Sequence, residues 1–421
     1  MVSCRDGLLR ETRDCTGAWC VARGALDTER PVLAAEQGDG NGRRKIILAI
    51  GAALLLLIWL TTRAQPHSRL SFSLPENVRD RDWQRFHRDS IQRYGETAEA
   101  DGVAILQLAV QLHGQDQTEA ALRCLMQIPL ELERLGVDAA LQRGRLLYAE
   151  NRVRDAEEAI RTAMSVCPAE NKAARDLATR MLSVILAIEL RFEERKSLLA
   201  EAAERNELPP ALLTQYCFGP LIPWKTAAQA KRIKELLERD SGDPALWIAH
   251  ARHLQSTGQA VAAVQVLKQI REQLPNSKPA LAALLEVHHG QADVAAMIEL
   301  LNQADEFSAA EPWLLTQMRA EVYLATEQWQ EALPLLTHLN LEHPGDPAVV
   351  HALMRVAAET GDQDRRQRYQ RQILALSELR MIVASANPGD MEALTALSTA
   401  ARKAGLVAEA GLCDRYIRRP R

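Results

Sequence analysis

Aromatic side chains are scarce here: Trp, Tyr and Phe together make up 4% of the 421 residues. Strands draw on aromatic and β-branched side chains to fill a pleated, half-buried face, so the shortage argues against a large sheet. An excess of one charge is lacking too. Lys and Arg number 51 against 55 Asp and Glu, a formal net charge of −4, too small to draw in nucleic acid or a strongly acidic substrate. None of the seven cysteines forms a C-x-x-C pair. There is no H-E-x-x-H, Walker loop, G-x-S-x-G elbow or haem-attachment motif. Acidic residues are spread along helix surfaces, not gathered as a catalytic pair. The chain therefore reads as non-enzymatic, with no catalytic residue, cofactor, metal or small-molecule substrate expected. Long apolar runs are missing with one exception, residues 46–62.

What the chain does have is a recurring pair of short helices, clearest from Trp247 to Pro275, WIAHARHLQSTGQAVAAVQVLKQIREQLP. Trp247, Ala251 and Leu254 mark one stripe at i, i+4, i+7, the period of an amphipathic helix. Ala260, Ala263, Val264, Leu267 and Ile270 repeat the rhythm in a second helix. Ala251 and Ala263 lack bulk and let the two backbones approach. Gly258, with Ser256 and Thr257, supplies the break, and Pro275 ends the second helix because it cannot donate to a continuing ladder. One such hairpin cannot bury its own apolar stripe, so a neighbour on each side is required.

Three further copies are legible. Arg143-Gly144, Leu147, Ala156, Ile160, Ala163 and Pro168 form one; Arg319-Ala320, Tyr323, Ala332, Leu336 and Pro344 another. Leu108-Ala109, Leu112, Ala121, Leu125 and Ile128 form the third. Ala121 and Ala156 are 35 residues apart and Ala263 and Ala332 are 69 apart, close to one and two periods of ~34. Weaker copies occupy 171–206, 210–242, 279–311, 347–378 and 390–421, the last keeping Gly405 and Ala410 but placing Asp414 where a large apolar residue belongs. The pattern resembles the tetratricopeptide repeat. That resemblance implies an all-α, right-handed α-solenoid of stacked hairpins over 98–421, with first helices lining a groove that takes peptides. An irregular all-helical domain rich in Ala and Leu is the alternative.

Ahead of the repeats, residues 1–45 read as an unstructured segment, with charges of both signs, no apolar period and a Gly-rich close at Gly38-Asp39-Gly40-Asn41-Gly42. Arg43-Arg44-Lys45 then precede IILAIGAALLLLIWLTT, residues 46–62. Seventeen residues at ~1.5 Å each give a helix of ~25 Å, a little short of a ~30 Å hydrocarbon core. Three cations before the run against Arg63 alone after it put residues 1–45 in the cytoplasm and the repeats on the extracytoplasmic side, periplasmic in a double-membrane bacterium. The competing reading is a signal peptide cleaved after Ala64, which would release a soluble repeat protein. Residues 63–97 form a juxtamembrane connector. Ser73-Leu74-Pro75-Glu76 looks like a helix start; Trp83, Phe86, Ser90, Ile91 and Tyr94 mark one face, and Arg79, Arg81, Arg85, Arg88 and Arg93 lie close to it. Such a helix either caps the repeats or lies on anionic headgroups.

Functional candidates are few. Cys124, Cys167, Cys217 and Cys413 are even in number, so a disulfide and unpaired core thiols both fit. His250 with His253, and the doublet His288-His289, lack a third ligand in register. The stretch LTQYCFGPLIPW, 213–224, disturbs the period and reads as a kink in the stack. One residue past the small position on the groove side stand Arg145 with Tyr148, Arg252 with Gln255, and Glu321 with Leu324. The family's carboxylate-clamp variant needs Asn residues absent here, yet Arg145 and Arg252 can still grip an acidic or C-terminal peptide bidentately. The expected function is a membrane-anchored scaffold for protein or peptide partners. The alternative is a regulatory or substrate-recognition subunit of a membrane enzyme.

Overall fold

The computed structural model describes residues 70–418 apart from 71, 75–79, 223–226, 309–310 and 388–389. The expected unstructured segment 1–45 and membrane-spanning helix 46–62 lie outside the described residues, as do Pro75 and Glu76 of the expected helix start. Among the described residues every regular element is a helix, and none is long and apolar enough to cross a membrane. Residues 70–182 belong to one compact unit and 183–418 to another.

The first unit holds α1 (Asp80–Tyr94), α2 (Ala98–Gly114), α3 (Thr118–Met126), α4 (Glu133–Ala149) and α5 (Val153–Val166). Helix α6 (Lys172–Ile188) carries the chain into the second unit. Helices α2 with α3, and α4 with α5, form hairpins, and α1 lies along α2. Because α1, α3 and α4 all cover it, α2 is apolar nearly all round, as a fully packed helix must be. Trp83 of α1 stacks between Phe72 and His87, with ring centroids 4.6 and 4.8 Å away. His87 Nε2 meets the buried Asp101 Oδ1 at 2.9 Å, and Asp101 Oδ2 accepts the Leu70 N–H at 2.9 Å. Gly144 is the small residue of the α4/α5 contact. A Cβ built there would stand 2.7 Å from Ile160 Cγ1 and 3.4 Å from the Ala156 carbonyl.

The second unit continues with α7 (Phe192–Glu204), α8 (Pro210–Phe218), a 3₁₀ turn (Gly219–Leu221) and α9 (Ala227–Leu237). Five hairpins follow: α10 (Pro244–Ser256) with α11 (Ala260–Gln273), α12 (Lys278–Gly290) with α13 (Val294–Asn302), and α14 (Trp313–Ala325) with α15 (Trp329–Glu342). The last two are α16 (Pro347–Glu359) with α17 (Gln363–Ser385) and α18 (Met391–Lys403) with α19 (Val407–Ile417). Four first helices begin on a capping side chain: Asp243, Ser277, Asp346 and Asp390 each accept an early backbone N–H. Proline at the first or second position, in Pro244, Pro279 and Pro347, gives up no needed donor.

One turn serves every hairpin of both units. A single residue takes the left-handed conformation: Asp116, Asn151, Gly258, Ala292, Glu327, Gly361 and Gly405. The next N–H reaches back five residues to a first-helix carbonyl, as in Gln259 to Leu254 at 2.9 Å and Asp293 to His288 at 3.0 Å. That is the Schellman closure of a helix. Ala251 and Ala263, and Ala320 and Ala332, meet with no exposure at all. Each second helix reaches the following hairpin through its first helix, while α10, α12, α14 and α16 also touch one another in succession. These four first helices thus form one unbroken inner row, which the second helices back from the other side.

Contacts also run far beyond nearest neighbours, unlike a simple stack in which each unit touches only the next. Helix α8 packs on α7 and on α19. Leu199, Leu212, Leu213, Phe218 and Leu221 share one apolar cluster with Leu376, Leu379, Leu397, Ala401 and Cys413. The Glu193 carboxylate accepts the Trp313 N–H, and Lys196 Nζ donates to the Glu342 carbonyl. Thus 213–222 does more than break the row. Its apolar side chains, with Phe218 wholly buried, are covered by the last hairpin. Asp414 finds its reason here too: it accepts from the buried Ser398 Oγ at 2.5 Å and from Arg402, bonds that hold α18 to α19.

Candidate binding surface

The first helices of four successive hairpins present a ladder of charge. Its rungs are Arg252 of α10, Glu286 of α12, Glu321 of α14 and Arg355 of α16, at intervals of 34, 35 and 34 residues. Each rung stands at the same place on a helix of the inner face. Repetition of the fold alone brings them into line.

The rungs are coupled. Arg252 is buried and holds Glu286 bidentately, Nε to Oε2 at 2.6 Å and Nη2 to Oε1 at 3.3 Å. Gln255, one turn on, donates to the Glu286 carbonyl at 3.0 Å, fastening α10 to α12. Burial pushes the Glu321 carboxyl above the usual carboxylate pKa, and His289 and Arg355 draw it back. Arg355 is exposed, lies 5.3 Å over the Trp329 ring and reaches the Leu324 carbonyl at 3.5 Å. Leu324 itself is buried in the α14–α16 core, contributing its backbone and not its side chain to this surface.

Of the residues singled out from sequence, Arg252, Gln255 and Glu321 lie along this row of first helices, whereas the Leu324 side chain turns into the α14–α16 core. Their parts differ. Arg252 has its guanidinium committed to Glu286, whereas Glu286 and Arg355, passed over in the sequence, complete the ladder, and His289, read there only as half of a histidine doublet, acts on Glu321. The signal for Glu286 and Arg355 was available: counting 34 from Arg252 and from Glu321 lands on them. Arg145 and Tyr148 lie on α4 of the first unit, Arg145 exposed and Tyr148 half-buried. Counting 35 from Arg145 reaches Arg180 on α6, whose Nη2 pairs with Asp176 at 3.0 Å.

The histidines are held by ordinary contacts. His250 is half-buried, edge-on to Trp247 at 5.9 Å, and burial lowers its basicity. His253 is buried within α10. His288 Nδ1 faces Asp293 at 3.3 Å across the α12 terminus, and His289 is exposed. Among the described residues no three His, Cys, Asp or Glu side chains gather as a metal site.

No family profile matches this chain, and no curated protein matches it either. Solved structures do. One is a tetratricopeptide repeat protein from Parabacteroides merdae, 10% identical over 60% of this chain and 97% of that one, with a TM-score of 0.30. A second is the APC/C hetero-tetramer Cut9–Hcn1, 13% identical over 76% of this chain and 66% of that one, TM-score 0.36. A third is yeast Tom70, 13% identical over 95% of this chain and 82% of that one, TM-score 0.29.

Proposed function

We propose that this protein is a scaffold that holds a protein partner on the inner face of α10, α12, α14 and α16. The charge ladder carries the reading. Four residues recur at the repeat interval along one row of first helices; His289 of α12 is exposed beside it, and its far end offers Arg355 to solvent. An extended segment with an acidic side chain or a C-terminal carboxylate suits that end, since a guanidinium holds a carboxylate through two parallel N–H bonds. Arg145 offers a second cation on the first unit. Arg252 contributes to the face through its grip on Glu286.

The same reading places the repeats outside the cytoplasm, tethered by residues 46–62. Its support is the sequence alone: an uncharged run led by three cations. Membranes washed at alkaline pH should retain the full chain and release a variant lacking 46–62. A full chain that washes off, or one beginning after Ala64, would replace the anchor with a cleaved leader.

Cross-linking in cells followed by identification of captured proteins tests the scaffold. A partner captured by the wild type should be lost with Arg355→Glu and weakened with Arg145→Glu, while Arg415→Glu, exchanged at a different place in the last helix, leaves it in place. Capture unchanged by Arg355→Glu would move the partner off this face, and capture unchanged by Arg145→Glu would leave the first unit without a part in it.

A further inference from the structure

We propose that Cys217 and Cys413 form a redox pair, closing to a disulfide that pins the last hairpin to α8. The two residues are 196 positions apart, yet the packing of α8 against α19 brings them together. They share one apolar cluster with Leu213, Phe218 and Ala410, and each thiol shifts the titration of the other. The Cys217 thiol also points at the Glu409 carbonyl, 3.9 Å from Sγ and one turn before Cys413. Both cysteines are buried and reduced in this structure. Two neighbouring sulfurs on packed helices need only a small closing movement to reach the ~2.05 Å of a disulfide.

The pair is also chemically unequal. The hydrogen bond from Cys217 holds the Cys413 thiol below its ordinary value, while Cys217, in the same bond and more deeply desolvated, is held well above it. Cys413, carried on the last helix, which has to open to admit an oxidant, is the attacking member and Cys217 the resolving one. Contrast Cys124, alone in the α2–α3 core, whose thiol burial pushes up to about 11.

The oxidant is a small dithio compound such as glutathione disulfide. Cys413, as thiolate, attacks one of its sulfurs, forming a mixed disulfide and expelling one thiolate, which takes up the proton Cys413 gave. Cys217 loses its proton, attacks Cys413 Sγ and expels the second thiolate. Two protein thiols are oxidised by two electrons and one small disulfide is reduced to two thiols. Access requires α19 to open, a modest demand for a helix of 11 residues.

The full chain, reduced and then equilibrated with glutathione over a range of disulfide-to-thiol ratios, decides the matter. Alkylation and digestion without reductant should yield a peptide pair joining residues 217 and 413. The oxidised form should melt about 5–10 °C above the reduced one, and a reductant should reverse the shift. Cys217→Ser or Cys413→Ser should abolish both the linked pair and the shift. Should either serine variant fail to fold, the double variant C217A/C413A keeps the test open: it should melt with the reduced wild type and ignore glutathione disulfide. Both thiols recovered unlinked at the most oxidising ratio, a link to Cys124 or Cys167 instead, or a linked pair with no rise in melting temperature would each overturn the proposal.

Discussion

At the scale of single residues, the hairpin turn decides how much of the repeat can be read. Each turn needs one left-handed residue, which costs a side chain roughly 1–2 kcal/mol that glycine avoids. Where Gly258, Gly361 and Gly405 fill the position, the turn shows in the sequence. Where Asp116, Asn151, Ala292 and Glu327 fill it, the backbone is the same and the letters conceal it. Ala292 is exposed, with φ at +55°, so Ala292→Gly should raise stability by about 0.5–1 kcal/mol, read as a shift in the urea midpoint at constant slope. A lowered midpoint would mean that the turn is not strained there. Gly144 is the opposite case. Its missing Cβ is the clearance between α4 and Ile160, and Gly144→Ala should cost about 1–2 kcal/mol by the same measurement, since the neighbour it meets is a buried, branched side chain.

At the scale of elements, charges that look like surface on a helical wheel become structure once hairpins stack. Arg252 and Glu286 show this: each lies on its own first helix, and only a 34-residue translation sets them face to face. The register of Arg252 and Gln255 was legible because small residues and turn glycine mark out that hairpin. Their commitment to Glu286 was not, because it depends on the separation of α10 from α12. Side chains this poorly exposed make a pair that is costly to break from one side. Arg252→Met should destabilise by about 2–4 kcal/mol, leaving a half-buried carboxylate without its partner. The double exchange with Glu286→Leu should recover most of that loss, giving a coupling energy above about 1 kcal/mol in a double-mutant cycle. Additive losses would mean that the two residues act independently. The caps behave more simply: Asp346 receives the Ala348 and Val349 N–H groups at 2.8 and 3.4 Å, and Asp346→Ala should cost ~1 kcal/mol through α16 alone.

For the whole molecule, the period made the hairpins legible from front to back, whereas the meeting of α7 and α8 with the last hairpins was not. Contacts such as Lys196 with Glu342 span 146 residues, and no local pattern encodes them; they follow from how successive hairpins stack. That closure buries His343 against Trp313, ring centroids 5.3 Å apart, near Lys196. Burial, reinforced by Lys196, lowers its pKa to about 4. The unfolded chain takes up a proton near 6.5 that the folded one refuses, so stability is complete above that pH and is lost as pH falls toward 4, by about 2–3 kcal/mol. In the first unit the sign reverses. Burial raises Asp138 to about 6, with Arg134 opposing. The folded chain there keeps a proton that the unfolded one gives up, so stability falls as pH rises from about 4 to 6, by a similar ~2–3 kcal/mol. Glu193, Asp243, Glu321, Asp346 and Glu409 of the second unit are also raised by burial and oppose His343, so the effect must be isolated by difference. His343→Gln should remove the acid loss, and Asp138→Asn should stabilise at pH 7 and not at pH 4. Hydrogen exchange corrected for its intrinsic pH dependence reads the units separately. From pH 7 to pH 5, wild-type peptides from α4 should gain protection relative to Asp138→Asn, and those from α15 should lose it relative to His343→Gln. Parallel changes in wild type and variants would mean that neither burial governs the stability of its unit.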